Sequence, residues 1–221
     1  MADDQAPLIR RIASVVGHEL RNPLAVISNS AYFVRARLGS ADLDPKVEKH
    51  LAIIESEIAR ADRIIGDMLA FSRLYEPAAE TLALDEMTRA ALAAYAAPEG
   101  LKVGAKFGAA DAKVKADPKA FADALKRLLD NAADAMDGKG EVRVATGAGK
   151  GAAFVTVADA GSGVDAKVKD CLFEPFVTTK PRGLGLGLSL ARKLLGAVGG
   201  ALSYEAAPKG SIFRISLPKA G

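Results

Sequence analysis

The sequence predicts an α+β protein in two parts, an N-terminal antiparallel helical hairpin followed by a mixed sheet covered on one side by helices. Three observations carry that expectation. Apolar residues in the first part recur in alternating steps of four and three, the second part alternates strand-like with helix-like segments, and the pattern changes at Glu76-Pro77. That boundary separates residues 1–77 from 78–221, and a length of 221 residues gives two domains enough chain for real cores.

Leu20, Leu24, Ile27, Ala31, Val34 and Leu38 form the seam of a first, long helix. Gly39 to Asp44 supply turn chemistry, and Pro45 suits the first position of a second helix. There Val47, Leu51, Ile54, Ile58, Ala61, Ile65 and Met68 repeat the spacing. One hairpin cannot bury a continuous stripe alone, so the expected solution is a two-fold homodimer whose paired hairpins make a four-helix bundle.

Beyond the boundary, strands are expected at Thr81–Leu84, Leu101–Phe107, Lys113–Lys115, Glu141–Ala145, Ala153–Ala158, Ala201–Glu205 and Ser211–Leu217, with helices between them. The clearest helix starts at Asp117-Pro118, a cap followed by a first-turn proline, and carries Phe121, Leu125, Leu128 and Leu129 on one face.

Thirty Lys and Arg against twenty-seven Asp and Glu leave a net charge of +3 with interspersed signs, which argues against a nucleic-acid binder. Cys171 is the single cysteine, so one chain builds neither a disulfide framework nor a thiolate zinc cluster. No apolar run approaches the ~20 residues of a membrane span, and the N-terminus lacks the apolar segment of a signal peptide. A soluble, cytoplasmic chain without membrane contact of its own is expected. Too few residues precede the hairpin for a further folded domain, which suggests an excised core or a subunit controlled by another protein.

Four segments carry chemistry: His18-Glu19-Leu20-Arg21-Asn22-Pro23, Asn131-Ala132-Ala133-Asp134-Ala135, Asp159-Ala160-Gly161-Ser162-Gly163, and Gly183-Leu184-Gly185-Leu186-Gly187-Leu188. In this order they resemble the H, N, G1 and G2 boxes of the sensor histidine kinase family, and Phe173-Glu174-Pro175-Phe176 resembles its F box. The resemblance runs from about Leu8 to Leu217. It implies an ATP-binding sandwich of the type shared with gyrase and Hsp90, and a histidine autokinase that moves the ATP γ-phosphate to His18 and then to an aspartate of a response-regulator receiver domain. It admits a second activity, hydrolysis of that regulator's phosphoaspartate.

His18 lies off the seam, so its ring faces solvent, and a largely neutral imidazole keeps one lone pair free to attack phosphorus. Glu19 is placed to fix the tautomer and accept the ring proton, while Asn22, one turn on, can orient a water or a phosphate oxygen. An isolated His-Glu pair is more often plain surface, and Asn22 standing at the position of a second histidine excludes a zinc-protease motif. His50 reads as a polar face residue. Val15 and Val16 serve either partner docking or the dimer core.

The resemblance implies that Asn131 ligates the Mg²⁺ of Mg-ATP; its bland reading is a mid-helix asparagine. Asp159 can accept from the adenine amino group while Gly161 and Gly163 let backbone approach the purine, a role the resemblance also assigns; alone it is an ordinary Asp-Gly turn. Gly183, Gly185 and Gly187 precede a helical run at Ser189–Leu195 and can turn N–H groups to phosphate. The polar stretch Glu174–Arg182 reads as a lid, in which Lys180 or Arg182 either neutralises γ-phosphate or is a solvated cation. Arg127, one turn before Asn131, replaces the Asn or His frequent in the family and cannot ligate magnesium, and Leu184 replaces a small hydroxyl residue. Two other readings stand beside the kinase: an ATP-independent dimeric phosphotransfer protein, and an ATPase without histidine chemistry.

Overall fold

The computed structural model describes residues 6–38, 44–110, 112–149, 151–180 and 184–220, with side chains of the first helix from residue 20 to residue 37. The chain forms two compact units, Met1–Leu74 and Tyr75–Gly221.

The first unit is a hairpin of α1 (Ala6–Leu38) and α2 (Pro45–Ser72). Asp44 caps α2 by accepting the Lys46 N–H at 2.8 Å, and Pro45 occupies the first turn, where a missing N–H costs nothing. The helices run antiparallel, since Arg21 donates to Asp62 at 2.7 Å while Arg35 grips both oxygens of Glu55 at 3.0 Å. These pairs are part-exposed and contribute about 0–1 kcal/mol each, fixing register more than stability. Ala31, Leu51, Ile65 and Leu69 are buried within the hairpin, with Leu24 and Met68 packed on them. Leu20, Ile27, Val34, Val47 and Ile54 stay 40–48% exposed although they belong to the same apolar pattern. The stripe therefore splits, one part closing the hairpin and the other facing outward.

The second unit holds the sheet. A small antiparallel pair joins β1 (Glu80–Ala83) to β3 (Lys113–Ala116). The main sheet has five strands in the order β2 (Leu101–Lys106), β4 (Gly140–Ala148), β5 (Ala152–Ala158), β7 (Ser211–Pro218) and β6 (Ala201–Ala206). Only the β2–β4 pair is parallel. One face carries α3 (Leu84–Ala93), α4 (Pro118–Ala135) and α5 (Gly187–Gly196). Strand alternation explains the arrangement. Val142, Val144, Val155, Val157, Phe213, Ile215 and Leu217 point to the helices and are buried with Phe121, Leu125, Leu128 and Leu129 of α4. On the other face Arg214 lies 4.2 Å over the Phe154 ring.

All seven expected strands form, with ends shifted by a few residues. Leu84 was expected to end the first strand and instead starts α3, because Asp85 and Glu86 place negative charge in a helix first turn. A short 3-10 helix, Ala166–Cys171, had no sequence signal beyond its Asp165 cap.

Asp117 ties the start of this unit to α4. Its carboxylate accepts the N–H groups of Lys119 at 2.8 Å and Ala120 at 3.1 Å, capping the helix, and that of Ala78 at 2.8 Å. The buried Tyr75 hydroxyl faces the same carboxylate, and burial together with that charge pushes the tyrosine well above its usual range. Burial works to raise the Asp117 pKa, but the Tyr75 hydroxyl and the three N–H groups outweigh it and hold the carboxyl below 3.8. Asp117→Ala is expected to destabilise this unit by about 2 kcal/mol, measured by denaturant unfolding at neutral pH. A lowered native pKa means that the wild-type advantage is complete above pH 3.8 and fades as pH falls through the native value. An advantage that persisted undiminished in acid would contradict the ionised cap.

Candidate functional site

The C-terminal half of α4 projects Asn131 and Asp134 on one face, one turn apart. They line a cavity of about 310 Å³ closed by Ser162, Gly163 and Val164 from the turn after β5, by Val168 and Leu172, by Thr178–Lys180, and by Leu188 of α5. Apolar walls with a few converging polar groups suit a flat heterocycle carrying charged substituents.

Two close approaches set this geometry. A Cβ on Gly161 would lie 2.4 Å from the Ala135 carbonyl oxygen, and Ser162 N–H donates to that oxygen at 3.2 Å. The turn after β5 is thereby pressed onto the end of α4. Gly185 has φ +69°, and a Cβ there would lie 2.5 Å from the Val177 carbonyl oxygen; the Gly185 carbonyl accepts from Phe176 N–H at 3.1 Å. That contact joins the glycine loop to the segment leading to Lys180. Gly187 opens α5, whose Leu186 cap supplies no side-chain hydrogen bond, leaving first-turn N–H groups for an anionic ligand.

Asp159 follows β5 directly and is buried, 6% exposed. Its Oδ1 accepts the Gly161 N–H at 2.9 Å, and its own N–H donates to the Ser211 carbonyl at 3.0 Å. It adjoins the cavity through Ser211, a lining residue whose carbonyl it is hydrogen-bonded to. Burial pushes its pKa up, partly offset by backbone N–H groups of Gly161 and Ser211 and by the Lys180 charge.

Lys180 Nζ donates at 2.8 Å both to Asn131 Oδ1 and to Asp134 Oδ2. The structure thus joins Asn131, Gly163 and Lys180 at one cavity, places Gly161 and Asp159 against it, and sets Gly185 and Gly187 in the loop beside it. Gly183 and Arg182 lie outside the described residues. Asp134 belongs to the segment that carries Asn131, but the sequence gives it no role of its own; the one signal is its three-residue spacing from Asn131 on one helix face. Arg127 is largely buried, with Nε 3.3 Å from Asp123, and does not line the cavity.

On the hairpin, Asn22 is exposed. His18 and Glu19 lie within α1, but their side chains, like those of Val15 and Val16, fall outside the described residues. Pro23 cannot donate to the carbonyl four residues back, that of Glu19, so the helix is missing one bond beside His18.

The donor chemistry is compatible with a magnesium nucleotide. Asn131 Oδ1 faces the cavity and already accepts from a cation, and Mg²⁺ takes an amide oxygen readily while drawing its other ligands from phosphate and water. Among the described residues no three His, Cys, Asp or Glu side chains converge as a metal cage. No described helix is long and apolar enough to cross a membrane.

Fold and site together define a nucleotide-binding sandwich joined to a helical hairpin. Residues 8–77 match the "His Kinase A (phospho-acceptor) domain" and residues 116–221 the "Histidine kinase-, DNA gyrase B-, and HSP90-like ATPase" family. The chain belongs to the sensor histidine kinase family. It is 30% identical to the sensory histidine kinase/phosphatase NtrB of Rhodobacter capsulatus over 95% of this chain and 62% of that protein. It is 29% identical to the sensor histidine kinase ZraS of Klebsiella oxytoca over 95% of this chain and 46% of that protein. The chain therefore spans about half to three-fifths of these relatives. Full-length ShkA in complex with AMPPNP shares the fold with a TM-score of 0.73 at 23% identity, covering 95% of this chain and 46% of that one. The catalytic domain of histidine kinase ThkA aligns with a TM-score of 0.57 at 26% identity, covering 64% of this chain and 95% of that one.

A buried carboxylate with a raised pKa costs the free protein stability when ionised. Asp159→Asn is therefore expected to stabilise the nucleotide-free chain by roughly 1 kcal/mol, seen as a higher unfolding midpoint, while weakening ATP binding at least tenfold. Calorimetric unfolding and equilibrium nucleotide titration measure the two effects. Loss of stability with unchanged binding would leave Asp159 a purely structural turn residue.

Proposed function

We propose that this chain is a histidine autokinase core, in which residues 78–221 bind Mg-ATP and residues 1–77 form the dimeric phosphoacceptor hairpin. The observation that carries the reading is the convergence of Asn131, Gly163 and Lys180 on one cavity, in a chain whose hairpin matches a phosphoacceptor family. Cytoplasmic location follows from the need for ATP. The outward apolar row of the hairpin supports the homodimer.

The reaction is transfer of the γ-phosphoryl group of ATP. A ring nitrogen of His18 forms the N–P bond as the bond to ADP breaks, and Glu19 takes the proton from the other ring nitrogen. Mg²⁺, when bound with the nucleotide, would supply positive charge that offsets the phosphate charge during transfer. Asn131 offers its amide oxygen to that metal, Asp159 accepts from the adenine amino group, Gly161 and Gly163 admit the purine, and Gly183, Gly185 and Gly187 turn backbone N–H groups towards phosphate. Lys180 supplies a mobile cation for the phosphates. The phosphohistidine then passes its phosphoryl group to an aspartate of a receiver domain docked on the hairpin. A structure of ThkA in complex with response regulator protein TrrA supports that class of partner. The naming of NtrB as a kinase/phosphatase supports dephosphorylation of the regulator as a second activity.

His18→Ala should abolish acid-labile labelling from γ-labelled ATP while nucleotide affinity stays within about twofold, because acceptor and nucleotide sites lie on different units. Asn131→Ala should lose at least tenfold in autophosphorylation and still accept phosphate at His18 from a phosphorylated regulator. Full labelling of His18→Ala would refute the acceptor assignment, and nucleotide-independent phosphate relay by the wild type would favour the plain phosphotransfer protein.

Glu19 and Asn22 should divide two reactions. Glu19→Gln removes the proton acceptor and should slow labelling from ATP by about 10²-fold or more. Asn22→Ala, lacking an amide to orient water, should chiefly slow loss of phosphate from the regulator. Measuring both rates in both variants decides; equal losses would make these residues mere supports of the helix.

A further inference from the structure

The Lys180 ammonium occupies the amide oxygen assigned above to the metal. Its hydrogen bond to Asn131 Oδ1 and its ion pair with Asp134 Oδ2 are both 2.8 Å long. The backbone helps to present it, since Lys180 N–H donates to Thr178 Oγ1 at 3.0 Å in a tight polar turn. Asn131, Asp134, Thr178 and Lys180 all line the same cavity, so the ammonium stands within the space a nucleotide would enter.

The amide alone is a weak anchor for a solvated ammonium. A neutral oxygen contributes little against water, whereas a carboxylate one turn along the helix supplies full charge at hydrogen-bond distance. Asp134 is the larger part of the anchor for that reason. A metal ion bound to Asn131 Oδ1 would stand within a few ångströms of the ammonium, and the two cations repel. Lys180 and the metal therefore exclude each other at that oxygen, although Asp134 can keep Lys180 close by.

We propose that Asp134 is a positioning residue of the nucleotide site: it holds Lys180 on Asn131 when no nucleotide is bound, so that metal–nucleotide enters by exchanging one cation for another. The proposal rests on the assignment of Asn131 as metal ligand. Its consequence is a brake on loading. The Lys180 and Asp134 side chains are 41% and 64% exposed, so solvent screens the pair and the effect is a few-fold, not orders of magnitude.

Mg-ADP is the appropriate probe, because it lacks the γ-phosphate that Lys180 would otherwise gain on leaving. Asp134→Asn in the full chain should bind Mg-ADP about threefold more tightly and show faster amide hydrogen exchange across Thr178–Lys180 without nucleotide. In a Lys180→Met background the same substitution should change Mg-ADP affinity little. An equal gain in both backgrounds would mean that Asp134 merely repels phosphate, and would overturn the proposal. Unchanged affinity and exchange in Asp134→Asn would overturn it as well. Asn131→Ala separates the underlying assignment: its ADP affinity should no longer respond to Mg²⁺. If it still responds, the metal assignment fails and the latch with it; if it does not, while Asp134→Asn behaves as wild type, only the latch fails.

Discussion

The contact between the turn after β5 and the end of α4 is the constraint on which the rest of the site depends. Burial of Phe121, Leu125, Leu128 and Leu129 fixes the rotation of α4 about its axis, so Asn131 and Asp134 must face away from the sheet and along its edge. Gly161 then lets the turn approach the Ala135 carbonyl to a distance no side chain permits. Both sides of the cavity are thus set by main-chain contacts, and the polar groups arrive on rigid supports. A rigid frame suits phosphoryl chemistry, where positioning and electrostatics supply most of the catalysis.

Several polar groups of the site are paired with one another. Lys180 bridges Asn131 and Asp134 and lends its charge to buried Asp159, whose carboxylate is otherwise offset by two backbone N–H groups. The exception is α5, which begins without a side-chain cap.

The hairpin follows a different logic. Its interior pairs Ala31, Leu51, Ile65 and Leu69, while two ion pairs set the antiparallel register. The remaining apolar positions, Leu20, Ile27, Val34, Val47 and Ile54, stay part-exposed among the described residues of the hairpin. Helices of this kind gain most of their stability from packing an amphipathic face, so a lone hairpin is an incomplete solution.

Local rules made much of the molecule legible. The four-three spacing marked both helices, period-two alternation marked several of the strands, and Asp117-Pro118 marked the start of α4, because each signal is written within a few residues of chain. The resemblance carried by three of the four segments, those of Asn131, Asp159 and Gly183 to Gly187, implied nucleotide chemistry, and that of His18 implied the phosphoacceptor. What sequence could not supply was distance across the chain. The partnership of Lys180 with Asn131 and Asp134 joins residues more than forty positions apart, and the Gly161–Ala135 contact is visible only once β5 lies beside α4. The chain order fixed that Asp159 was a carboxylate after a strand; only folding decided that it would be buried beside the cavity, with its pKa raised by lost water. Sequence thus determined the elements and the chemical groups, whereas tertiary structure decided their partners, because burial and electrostatics depend on neighbours in space and not along the chain.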